Sequence, residues 1–331
     1  MQKLLGNRPQ AKAREYLFDN YKVFLIVLVV VGHFIEPNYE HNAFLYELKW
    51  GIVSFHMPAF IFISGYFSKK APDFQKLLNS LVIPYFVYEV FYYLLYIYVL
   101  DRDTELYFMH PKFSLWYLMA LFAWKLITPY VLKIPGHLAI SIAAGLLVGF
   151  TNIDNFLSIP RILYFYPFFL AGVHFKQSWL ETLRNSKRAK TAAIVILVAF
   201  VVFLAKDSLH DLLTPKIFYG RYSYHAMDLS NVTGVLVRIL CYIASFLLIY
   251  AFMMVLPRKK TAVSYLGERT MSIYIFHGFA YCSFKYGSRI LSTVNTNLES
   301  LVLLVFCLFL VWLFSRKPFV SVTNKVAHLM G

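Results

Sequence analysis

Apolar residues run along this chain in long blocks, separated by short clusters of Lys, Arg, Asp and Glu. A helix that crosses the hydrocarbon of a bilayer needs about 20 mostly apolar residues, within a range of about 17 to 25. The charged clusters delimit ten candidate blocks. Five lie in the first half: Tyr21–Ile35, Trp50–Ser68, Leu77–Leu100, Phe113–Leu132 and Ile134–Ile153. Five follow: Ile162–Phe175, Thr191–Ala205, Leu229–Leu256, Thr270–Phe284 and Ser300–Ser315. Several are short, but Lys and Arg at their ends can snorkel and recover about a turn. The fourth and fifth are parted only by Lys133 to Gly136, a tight turn around Pro135. The pattern predicts an all-α fold, a polytopic transmembrane bundle of about ten helices. It makes residues 1–331 one integral membrane domain with no separate soluble domain. No internal repeat is visible. The first block reads as a retained helix, because Glu15 and Asp19 interrupt its basic flank and no small-residue cleavage site follows Val31.

Composition agrees and adds an orientation. Of 331 residues, 59% are hydrophobic and only 15% charged, against about 25% in an ordinary soluble domain. Disorder, collagen and coiled coil fit poorly. The net charge of +15 would otherwise suggest nucleic acid, but it sorts by topology. With the N-terminus in the cytoplasm and sides alternating, the inner segments hold 21 Lys and Arg against five acids. The outer segments hold nine against eleven. Cytoplasmic loops carry that bias, so both termini are predicted to be cytoplasmic. The longest loop, Lys206–Asp228, falls outside. Cys241, Cys282 and Cys307 lie in apolar stretches and give neither a metal spacing nor a disulfide framework.

Few charges remain at membrane depth, and each is a functional candidate because burial there is expensive. His33 lies near the outer end of the first helix, with Glu36 three residues on and on the same face. A carboxylate there could orient the imidazole and raise its basicity; equally, Glu36 could be a solvated loop residue beside a packed histidine. His56, Phe60 and Ser64 follow helical spacing in the second block, where Ser64-Gly65 would permit close helix packing. Glu89 and Arg238 are mid-helix, and a pair across the bundle would satisfy both. Arg161, after Pro160, could hold a hydroxyl, a phosphate or an oxyanion, or simply snorkel. His277 lies about a third of the way into the ninth block, one turn after Tyr274. Lys22 and His33 are eleven residues apart, about 16 Å along a helix. One can meet the cytosol while the other reaches the outer half.

These residues resemble acyltransferase family 3, the integral membrane acyltransferases, and especially its fucose 4-O-acetylase-like branch. The opening Arg14-Glu-Tyr-Leu-Phe-Asp19-Asn-Tyr-Lys22 through Val31-Gly-His33 looks like the family's first helix. Phe55-His-Met-Pro-Ala-Phe-Ile-Phe-Ile-Ser64-Gly-Tyr-Phe67 is similar to its second-helix signature. Leu115-Trp-Tyr-Leu118, Tyr166-Pro-Phe-Phe-Leu-Ala-Gly172 and Leu266-Gly-Glu-Arg-Thr-Met-Ser-Ile-Tyr274 with His277 match later segments, in order. Where the family often has Arg, this chain has Lys22, which removes a bidentate contact. Many members carry an extracytoplasmic esterase-type domain that is not expected here.

The resemblance implies transfer of an acetyl or other short acyl group from acetyl-CoA to a hydroxyl of a cell-envelope carbohydrate, free or polyprenyl-linked. It places the protein among membrane lipids, in a cell membrane and most simply a bacterial one. No metal and no permanently bound cofactor are expected; acyl-CoA is a co-substrate. His33 is the expected base, with Glu36 orienting it, His56 the second choice and Arg161 stabilising the oxyanion. Lys22, Arg14, Lys69 and Lys70 are expected to attract the phosphates of coenzyme A. A transporter or flippase for lipid-linked saccharide is the rival, since buried His, Glu and Arg serve that role too.

Overall fold

A computed structural model describes residues 16–153, 155–206 and 213–329. Arg14 lies outside the described residues. Among these the fold is helical, without strands. The first half holds α1 (Leu17–Phe34), α2 (Ala43–Val53), α3 (His56–Tyr66), α4 (Phe74–Val99), α5 (Trp116–Val131) and α6 (His137–Leu147). The second half holds α7 (Ile159–His174), α8 (Gln177–Asn185), α9 (Lys187–Leu204), α10 (Asn231–Val255), α11 (Thr270–Gly287), α12 (Asn297–Phe314) and α13 (Lys317–Ala327).

Helical structure occurs in each of the ten blocks expected from sequence. Among the described residues, six stretches are long and apolar enough to cross a membrane: α1, α2 with α3, α4, α7 with its preceding turn, α10 and α12. Many of these are rich in Val, Ile, Phe and Tyr, which are mediocre helix formers in water. In hydrocarbon the backbone must satisfy its own hydrogen bonds, so helix wins regardless of propensity. Local signals set the ends. Asn42 caps α2 by accepting from the Leu45 backbone N–H at 3.1 Å. Thr296 and Glu299 form a capping box at α12.

The sequence expectation for the second block began at Trp50, but the helical stretch begins at Ala43 and is broken at Ser54–Phe55. That break starts a new helix at His56. The long third block is not uniform either. Wide π-type turns at Leu78–Val82 and Leu95–Val99 flank its α-helical middle.

α1 is the hub. It is mostly buried and packs against α3, α11 and α12. By contrast, α9 and α12 turn apolar side chains such as Val195, Val198, Leu301 and Val305 outward, as lipid contact requires. α3 and α7 cross with their backbones in close approach. A Cβ on Gly65 would stand 2.0 Å from the Phe169 carbonyl oxygen, and one on Gly172 would stand 1.9 Å from that of Phe62. The small residues flagged in the second block therefore do let two backbones touch.

The expected Glu89–Arg238 pair is not formed. Arg238 on α10 donates to the carbonyls of Gly145 (2.9 Å) and Tyr222 (3.0 Å) and lies against the rings of Tyr224 and Tyr164. Glu89 on α4 accepts from the Lys112 backbone N–H at 2.5 Å, with the Lys112 ammonium 3.8 Å away. Each charge takes the donors or acceptors that its own neighbours supply. A guanidinium with several N–H groups is well served by helix-end carbonyls.

Candidate active site

The site is organised by one face of α1. Lys22, Ile26, Val29 and His33 are spaced by four, three and four residues and line an apolar slot of about 240 Å³. Met57, Phe60 and Ser64 from α3, Trp116 and Tyr117 from α5, and Tyr274 from α11 close it. Lys22 sits at one end, bound to Asp19 at 3.0 Å, and His33 at the other.

Each end of the slot opens into a polar chamber. Beyond Lys22 is a basic vestibule of about 420 Å³ that shares Phe67, Ser68 and Lys125 with the slot. It is lined by Lys69, Lys70, Lys76 and Lys125, with Asp73 as the carboxylate. Lys69 is partly committed to structure: its ammonium bonds the Phe175 carbonyl after α7 and lies 4.2 Å over the Tyr66 ring. Its pKa is pushed down, first by burial and then by Lys176.

Beyond His33 is a second chamber of about 330 Å³, named the outer chamber after the orientation expected from sequence, which shares Val29, His33, Met57 and Trp116 with the slot. His33 is the titratable residue common to both walls. Its ring lies 4.6 Å from Phe113 and 5.4 Å from His277, centroid to centroid. The outer chamber also holds Glu36, Lys49, His56 and Arg161. The sequence-derived catalytic set of His33, Glu36, His56 and Arg161 thus lines one cavity.

The partners differ from the simplest sequence reading. Glu36 is bound by the buried Lys49 ammonium and accepts from the Tyr219 hydroxyl at 3.0 Å, so its carboxylate is not on His33. Lys49 also donates to the Gly32 carbonyl at 2.7 Å. Tyr219, in the loop before α10, has its phenol pKa raised by burial and by Glu36. His56 Nδ1 lies 2.7 Å from the Ile52 carbonyl oxygen. That oxygen can only accept, so Nδ1 carries a proton, and in the neutral ring Nε2 presents a lone pair. His277 repeats this arrangement, with Nδ1 3.1 Å from the Ile273 carbonyl and a buried, unpartnered Nε2. Arg161 lies in the first turn of α7, donates to Asn155 Oδ1 at 3.2 Å and covers the Trp116 ring at 4.8 Å. Just before it, Leu157 and Ser158 both adopt positive φ, a strained entrance of the kind that gathers at functional sites.

A chamber of base-type histidines and cations, joined by an apolar slot to a lysine-rich mouth, suits group transfer from an anionic, chain-like donor. The model of acyltransferase family 3, described as an acyltransferase domain, matches residues 15–316. The chain belongs to acyltransferase family 3. Comparison with curated proteins and with solved structures returns no match. The protein is therefore a multi-pass membrane acyltransferase.

Lys49, Tyr219, Arg221 and Lys285 also line this acyltransferase's outer chamber and were not singled out by sequence. His277 stands out in the sequence through its motif, which by itself assigns it no role. Its signal was a histidine in an otherwise apolar helix face, one that only packing places behind His33. Among the described residues no cluster of three metal-ligating side chains occurs.

Proposed function

We propose that the protein moves a short acyl group, acetyl by default, from a cytosolic acyl-CoA to a hydroxyl of a cell-envelope carbohydrate, free or lipid-linked. In this reading the chain spans a bacterial cytoplasmic membrane about ten times with both ends inside. Lys69, Lys70, Lys125 and Lys22 hold the donor's phosphates at the inner mouth, and Arg14 precedes them in the chain. The pantetheine arm lies along the apolar slot, and the thioester reaches His33. An acceptor hydroxyl in the outer chamber gives its proton to His33, and its oxygen bonds to the thioester carbonyl carbon. Arg161 stabilises the oxyanion. The C–S bond then breaks, and the thiolate takes the proton back from His33 to leave as the free thiol. His56, with its oriented ring, is the second candidate for the base.

The observation that carries this reading is the position of His33, in the wall of both the slot and the outer chamber. A flippase for lipid-linked saccharide would have no need of a base at that junction. The test uses purified protein in lipid nanodiscs with radiolabelled acetyl-CoA and an envelope glycan fraction. Label should pass to the glycan and fall at least a hundredfold, roughly, in His33→Ala with folding intact. Normal transfer by that variant would remove His33 from the chemistry. Failure to consume any CoA thioester would favour the transporter.

A further inference from the structure

The outer chamber is more basic than the topology explains. On the sequence reading, the outer segments carry nine Lys and Arg against eleven acids. Yet the chamber wall takes Lys49, Arg161, Arg221 and Lys285 and, among the described residues, one carboxylate, Glu36. The bias of cytoplasmic loops cannot account for cations gathered on the opposite side. Lys49 is neutralised by Glu36. The other three have no carboxylate partner among the described residues. Arg161 reaches Asn155 and the face of Trp116, Arg221 reaches Tyr222, and Lys285 lies 5.5 Å and 5.3 Å over the rings of Tyr281 and Tyr286.

The donor does not account for these charges either. Its phosphates have a basic vestibule of their own at the other end of the slot, and the apolar slot separates the two. We infer that Arg221 and Lys285, beside the oxyanion-stabilising Arg161, form an anion subsite, and that the acceptor carries a carboxylate or phosphate near the hydroxyl that is acylated. Guanidinium groups pair with both anions in bidentate fashion. The anion can come from the sugar itself, as a uronate carboxylate, or from the diphosphate of a polyprenyl carrier. This inference rests on the acyl-transfer reading above.

The test compares acceptors with the full-length protein in nanodiscs and labelled acetyl-CoA. The panel is a uronate-containing oligosaccharide, the same oligosaccharide after chemical reduction of its carboxyls, and a neutral sugar linked to polyprenyl diphosphate. The wild type should favour an anionic acceptor over the reduced one by about ten- to a hundredfold in kcat/KM. Arg221→Gln and Lys285→Gln, both at exposed positions, should each shrink that ratio about tenfold, and added salt should shrink it further. Preference for the soluble uronate locates the anion on the sugar; preference for the diphosphate alone locates it on the carrier. Equal transfer to all three acceptors would overturn the anion subsite while leaving acyl transfer standing. A preference that survives both substitutions would overturn the assignment to these residues. If no acceptor is labelled and no thioester is consumed, the acyl-transfer reading falls and this inference falls with it.

Discussion

The Glu36–Lys49 pair offers the most discriminating perturbation, because two readings of Glu36 make opposite forecasts. The Lys49 side chain is only 4% exposed and is held by Glu36 and by the Gly32 carbonyl, while the Glu36 side chain keeps 29% exposure. Glu36→Gln preserves size and the bond from Tyr219 but strands the lysine charge. Breaking a buried pair costs about 3–5 kcal/mol, and the solvent at Glu36 brings this down to about 2. Lys49→Met removes the cation and the donor to Gly32 at a similar cost of about 2 kcal/mol. The double variant leaves no stranded charge, so it should cost about 2 kcal/mol less than the sum of the singles. The assay is reversible unfolding in mixed micelles followed by tryptophan fluorescence, with acetyl transfer measured alongside. Additivity within about 0.5 kcal/mol would refute the clamp. So would a Glu36→Gln protein of normal stability whose transfer rate collapses and is not rescued by Lys49→Met. That result would return Glu36 to the role of orienting His33.

Three further outcomes follow from the same geometry. Gly65→Ala and Gly172→Ala should each cost about 3 kcal/mol or fail to fold, since the new methyl meets a backbone carbonyl at about 2 Å; a melting temperature within a degree of wild type would contradict the α3–α7 contact. Lys70→Gln and Lys125→Gln should raise the KM for acyl-CoA several-fold with little change in kcat, the effect fading at high salt; an unchanged KM would remove the vestibule from donor binding. His277→Leu replaces a buried nitrogen that has no partner, so its stability should stay within about 1 kcal/mol of wild type. A loss above about 3 kcal/mol in the same unfolding assay would show that His277 is held by something more than the Ile273 carbonyl.

The helices were legible because bilayer thickness and backbone satisfaction turn apolar blocks into helices almost without regard to side-chain detail. The Lys22–His33 face was legible for a related reason: helical period alone puts residues eleven apart on one side of α1. Ser64-Gly65 announced a close crossing but not its partner, since nothing local says that Phe169 would face it. Ion pairing was the least legible. Sequence matched Glu89 with Arg238 by charge, yet the structure gives Glu89 to Lys112 and Arg238 to carbonyls, because short-range contacts depend on which groups the packing delivers.

The outer chamber shows the same division. Its contributors Glu36, Arg161, Tyr219 and Lys285 are separated by tens of residues and come from the turn after α1, α7, a loop and α11. The sequence by itself determined that this chain would be a bundle of membrane helices with few charges inside it, and which histidines those helices would carry. Only the tertiary structure decided that His33 would stand between an apolar slot and a basic chamber, because cavities and charge clusters arise where distant helices meet.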